Sequence, residues 1–225
     1  MNNHNHNDHT HDHDDHHEDH HDFNTQTPLR TDAFELSDDA KIDAIEGHFK
    51  AIMETLGLDL NDDSLKGSPR RVAKMYVKES FWGLNPDLKP TVSHFKNKFK
   101  YQQILLEKDI QFYTHCEHHF VPFFGNAHVA YIPNGKVIGL SKLNRIVEYF
   151  SKRPQVQERM TMQIANELKQ ILGTENVAVI INAKHLCVAS RGIKDNSSHT
   201  TTAEYCGLFN EPENRLELHR LLSIG

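Results

Sequence analysis

The sequence predicts an α+β fold, with helices first and then a mainly antiparallel sheet carrying two inserted helices. Three observations lead there. Apolar residues keep a helical spacing from Ile42 to Leu56. The stretches Gln103–Tyr113, Ala127–Ile132 and Val177–Val188 are rich in β-branched and aromatic residues, as strands are. Between the last two, Val156, Met160, Ile164, Leu168 and Leu172 recur every four residues, the stripe of an amphipathic helix. A chain of 225 residues holds one large domain or two small ones.

Taken in order, Met1 to Asp22 has no apolar residue after Met1 and cannot bury a core, so it is predicted to be disordered. Ser37 can cap the first helix, whose stripe is Ile42, Ile45, Phe49, Ile52, Met53 and Leu56, and Gly57 ends it. Ser68-Pro69 reads as an N-cap followed by proline at the first helical position, with this second helix stopping near Gly83. Its first turns carry Arg70, Arg71 and Lys74, cations that oppose the helix dipole and point either to an anion or to a solvated face. The strand Ala127–Ile132 runs into the turn Pro133-Asn134-Gly135. Leu143–Phe150 is helical, and Pro154–Leu172 is a longer helix closed by Gly173. Val177–Val188 reads as one strand whose alternation puts His185 and Cys187 on the same face. Pro212–Ile224 is a last helix. These segments divide the chain into a His/Asp-rich tail (1–24), a helical region (25–95) and a sheet-bearing domain (96–225).

Composition excludes several classes. Residues 1–22 hold nine histidines, seven acids and no Lys or Arg, leaving 24 acids against 25 Lys plus Arg in the rest. A near-neutral body lacks the basic excess of nucleic-acid binders. The longest apolar run, Val177–Ile181, is too short to span a bilayer, so no membrane role is expected. Three cysteines are too few for a disulfide scaffold and suit a reducing, cytoplasmic setting. The histidine-rich tail predicts binding of extra transition-metal ions.

The chemistry concentrates in Cys116-Glu117-His118-His119 and His185-Leu186-Cys187. Cys116, His119 and Cys187 are three soft or borderline ligands, and three protein ligands leave a tetrahedral Zn²⁺ one open position, as catalytic sites do. The spare histidines His118 and His185 flank them as acid–base groups. Cys206 could instead close a four-ligand structural site, which would make the chain a metal-binding or metal-storage protein without turnover.

Longer blocks then turn the pattern into a family likeness. They are Ser68-Pro-Arg-Arg-Val-Ala-Lys-Met-Tyr76, Cys116-Glu-His-His-Phe120, Val129-Ala-Tyr-Ile-Pro133, Gly139-Leu-Ser-Lys-Leu-Asn-Arg-Ile-Val147, Arg153-Pro-Gln-Val-Gln-Glu-Arg159, His185-Leu-Cys187 and Ala189-Ser-Arg-Gly192. In this order they resemble GTP cyclohydrolase I of the zinc-dependent type, from Thr27 to about Arg220. The resemblance implies the tunnelling fold, a homodecamer of stacked rings with active sites at subunit interfaces, and conversion of GTP and water to 7,8-dihydroneopterin triphosphate and formate, feeding tetrahydrofolate synthesis. It implies Zn²⁺ on Cys116, His119 and Cys187, and proton transfer by His118 and His185. Glu158, helped by Gln157, would accept guanine N1–H and the exocyclic amino group, a donor pair adenine lacks. Ser141, Lys142, Arg145, Arg191, Arg71 and Lys74 would hold the triphosphate, Arg bidentately and Lys as a point charge.

Overall fold

The computed structural model describes residues 26–224. The reading of residues 1–24 as a disordered tail falls outside them. Helix α1 (Asp38–Thr55) begins where expected: the Ser37 hydroxyl accepts the Ala40 N–H at 3.2 Å, and Gly57 follows the helix at φ +82°. Helix α2 (Ser68–Lys74) continues through a wide π-type segment, Met75–Ser80. Ser68 is not its side-chain cap, contrary to the sequence reading. Gly67 occupies that position, and the Ser68 hydroxyl accepts from Arg71 instead.

The main sheet has the order β5-β2-β3-β6-β7. Its strands are β2 (Leu105–Cys116), β3 (Pro122–Tyr131), β5 (Pro154–Gln155), β6 (Val177–His185) and β7 (Thr200–Tyr205). All neighbours are antiparallel except β2 with β5. A small separate pair joins β1 (His94–Lys96) to β4 (Lys136–Ile138). Helices α3 (Leu140–Ser151) and α4 (Gln157–Leu172) lie on one face of the sheet, and α6 (Pro212–Leu222) lies against one end of the other. Gly173 closes α4 with φ +63°, the left-handed conformation that glycine adopts without steric cost.

The covered face is the core. Ile110 and Phe112 of β2, Phe123, Ala127, Val129 and Tyr131 of β3, and Val177, Val179 and Ile181 of β6 alternate inward and meet Leu143, Ile146, Met160, Ile164 and Leu168 of the helices. Burying a large aliphatic or aromatic side chain contributes about 1.5–3 kcal/mol, so this layer dominates the fold. It also orients the site, because Cys116 and His185 continue the inward-facing series of their strands.

Three sequence expectations need correction. The strand β6 ends at His185, and Leu186–Ala189 form a single helical turn, α5. Strand alternation therefore does not place Cys187. Helix α4 starts at Gln157, because Pro154–Gln155 are drawn into the sheet beside His115 and Cys116. And β3 starts at Pro122, five residues before the predicted strand. Among the described residues, no helix is long and apolar enough to cross a membrane.

Candidate metal and nucleotide site

The Cys-x-x-His segment is a tight turn at the end of β2. The Cys116 N–H donates to Val121 O at 2.9 Å, and the Phe120 N–H donates to Cys116 O at 2.8 Å. Phe120 takes φ +53° to close it. This curls His119 back over Cys116: the Cys116 sulfur lies 3.9 Å from His119 Nδ1 and 3.7 Å from His118 Nδ1. From the other side, the helical turn α5 swings Cys187 inward from the end of β6. The ligand atoms of Cys116, His119 and Cys187 all fall within 4.8 Å of one another. Two sulfurs and one imidazole at that separation fit a single zinc-type ion with an open position.

Burial, together with the Cys116 sulfur beside it, pushes the Cys187 thiol up, while Arg191 pulls it down. A divalent cation reverses that balance, since a metal-bound thiol is deprotonated. Cys206 cannot join the triad. Its N–H donates to Val177 O, at the opposite end of β6 from His185. The nine residues of that strand span about 26 Å. Within one chain, the topology therefore keeps Cys206 from closing a four-ligand site with Cys116, His119 and Cys187.

His185 is fixed from two sides. Its ring stacks on Phe123 with centroids 4.4 Å apart and an interplanar angle of 10°. Its Nε2 lies 2.8 Å from Gln157 Oε1. Burial lowers the His185 pKa, and the nearby Glu158 carboxylate opposes that shift. Glu158 itself is exposed in the first turn of α4. Gln157, expected at the substrate, is buried and spans α4, β6 and β7: its amide nitrogen contacts Ile181 O, Thr200 O and the Thr202 hydroxyl. Glu117, between Cys116 and His118, pairs bidentately with Arg159 at 2.6 and 3.0 Å. That hydrogen bonding holds the Glu117 carboxyl below its usual range, against the opposing effect of burial. Sequence reading singled out neither Arg159 nor Phe123. Arg159 stood in the Arg153–Arg159 block without a role of its own, and Phe123 lay outside the strand as predicted.

The remaining phosphate candidates divide. Arg191 lies near Cys187. Ser141, Lys142 and Arg145 occupy the start of α3, at the far end of the sheet: the Ile138 N–H just before it donates to the Tyr131 hydroxyl, and Tyr131 pairs with Leu105, the first residue of β2. Cys116 is the last residue of that 12-residue strand, which is roughly 35 Å long when extended. Lys142 reaches Thr91 O at 3.1 Å. Arg71 is held by Ser64 O and the Ser68 hydroxyl, while its neighbour Arg70 pairs with Asp43 and Glu46 on α1. Lys74 is exposed on α2. A single chain thus brings together the candidate metal triad, both histidines, Glu158 and Arg191, but leaves four cations and Ser141 on α3 and α2.

Comparison with known proteins gives the family. The family model described as GTP cyclohydrolase I matches residues 45–223. The chain is 58% identical over 194 residues to GTP cyclohydrolase 1 of Flavobacterium johnsoniae, covering 86% of this chain and 87% of that protein. It is 53% identical to GTP cyclohydrolase 1 of Aeromonas salmonicida over 193 residues, covering 85% and 88%. It is 52% identical to that of Erwinia tasmaniensis over 189 residues, covering 84% and 86%. With a metal triad, two histidines and a carboxylate gathered at one sheet end and most of its length matched, the chain belongs to the GTP cyclohydrolase I family.

Proposed function

We propose that this protein opens the imidazole ring of GTP with water and recloses the product as 7,8-dihydroneopterin triphosphate, releasing formate, at the entry to tetrahydrofolate synthesis. The observation that carries the reading is the triad within 4.8 Å, with His185 and Glu158 beside it, in a chain of this family. Cys116, His119 and Cys187 hold the metal, which we assign as Zn²⁺; bound there, it supplies Lewis-acid activation of water.

The chain's own residues do the rest. Glu158 accepts guanine N1–H and the exocyclic N–H, so adenine leaves it unpaired. His118, exposed at the turn, donates to N7 of the purine, and His185 takes and returns protons during ring cleavage. Formate then leaves, and the opened ribose rearranges and recloses through further proton transfers by the same pair. Phe123 and Gln157 keep the His185 ring from rotating away.

Arg191 meets the triphosphate within the chain. Ser141, Lys142 and Arg145 come from a neighbouring copy in a homodecamer, because α3 begins at the other end of the sheet from the triad, and Arg71 and Lys74 of α2 complete the phosphate site. The nine histidines of residues 1–22 take additional transition-metal ions. A cytoplasmic setting suits three free cysteines.

The test is turnover. Purified protein incubated with GTP should develop pterin absorbance and fluorescence with equimolar formate. Absence of both from zinc-replete protein would overturn the reading. The shared site has its own test. Lys142→Ala and Cys187→Ser chains, each inactive alone, should recover part of the wild-type rate when co-expressed. If each chain carried a whole site, mixing would restore nothing.

A further inference from the structure

The turn that carries two of the three metal-ligand candidates is attached to α4 in two ways. The Glu117 N–H donates to Gln155 O at 3.0 Å, in the short strand leading into that helix. The Glu117 carboxylate then receives both terminal nitrogens of Arg159, one turn further on. Both side chains are largely shielded, at 16% exposure for Arg159 and 25% for Glu117. Two parallel N–H···O bonds fix a plane as well as a distance, which a single-point lysine contact cannot do. The same helix turn carries Glu158 at its exposed side and Gln157 at its buried side.

We infer that Arg159 and Glu117 form a positioning clamp that holds the Cys116–His119 turn at a set distance from the first turn of α4, and so holds the metal ligands in register with Glu158. This rests on the metal and guanine assignments proposed above. Neither clamp residue touches the reacting atoms. Its hold on the ligands runs through the backbone: Glu117 lies between Cys116 and His118, so rotation of its peptide units moves the sulfur and both imidazoles together, while its carboxylate also faces His118 Nε2 directly at 3.9 Å. Without the clamp, the turn keeps its backbone hydrogen bonds and the packing of Phe120 against Tyr76 and Phe81, but no side chain ties it to α4, and His119 and Cys116 lose their common orientation. Partners that orient metal ligands indirectly change metal affinity by about 10–100-fold when removed.

The test uses full-length zinc-loaded protein. Arg159→Lys keeps the charge and most of the packing but removes the bidentate geometry. Glu117→Gln keeps the shape and removes the ion pair. Each should release zinc to a competing chelator about tenfold faster than wild type. Turnover should fall in each as well, with folding retained by circular dichroism. The double variant should be no worse than either single variant, because the two residues act as one unit. A purely structural ion pair would lower the melting temperature and leave zinc release unchanged; that outcome, or additive effects in the double variant, overturns the clamp. Failure of the underlying reading is distinguishable, since wild-type protein would then hold no stoichiometric zinc at all.

Discussion

Gln157 fixes the tautomer of His185. The Gln157 amide nitrogen faces two backbone carbonyls, Ile181 O and Thr200 O, so it must be the donor end, and Oε1 is left to accept from His185. The proton of neutral His185 therefore sits on Nε2, and Nδ1 is the free acceptor. An imidazole whose basic nitrogen is chosen in advance loses no time in the wrong tautomer. Gln157→Leu should strand those carbonyls and the histidine, lowering stability by about 1–3 kcal/mol by thermal or denaturant unfolding. Turnover should fall further than that loss of folded protein explains, with zinc content unchanged. Full activity in folded Gln157→Leu would remove the positioning role.

The triad makes a sharper division. Cys116→Ser, His119→Ala and Cys187→Ser should each lose both zinc and turnover, measured by metal analysis of protein lacking residues 1–22. Cys206→Ser should keep both, because Cys206 sits at the other end of β6. Zinc lost from Cys206→Ser would contradict the open three-ligand site.

The two flanking histidines should separate from the ligands. His118→Ala and His185→Ala are expected to retain zinc and GTP binding while losing at least about two orders of magnitude in rate. Rapid-quench analysis should reveal a ring-opened intermediate accumulating in one of them. Wild-type rates in both variants would place proton transfer elsewhere.

Guanine selection should follow Glu158. Glu158→Gln keeps the size but turns one acceptor atom into a donor facing the base's own donors. The position is exposed, so the melting temperature should barely move, whereas the kcat/KM for GTP should drop by about two orders of magnitude or more. An unchanged preference for GTP over ATP would end this assignment.

The sequence by itself determined the identities of the chemical groups and the local structure that carries them. Period-four apolar spacing wrote α4, Ser37 and Gly57 bracketed α1, and the Cys-x-x-His and His-x-Cys spacings named the metal candidates, because these depend on neighbours a few residues away. The ordered motif blocks carried the family as well. Only the tertiary structure decided how those groups meet. The end of β6 at His185, and the helical turn that brings Cys187 inward, depend on pairing with β3 rather than on local propensity. Pro154 and Gln155 left the predicted helix because β2 offered them a partner strand. The role of Gln157 was invisible for the same reason: nothing in its neighbours in sequence foretells three acceptors contributed by β6 and β7. And the separation of Lys142 and Arg145 from the triad follows from which end of the sheet α3 starts at, a long-range choice made by the packing of Leu143, Ile146 and Val147 onto the core. Local preferences fix elements within a few residues; strand pairing and burial, which join residues dozens apart, fix the site.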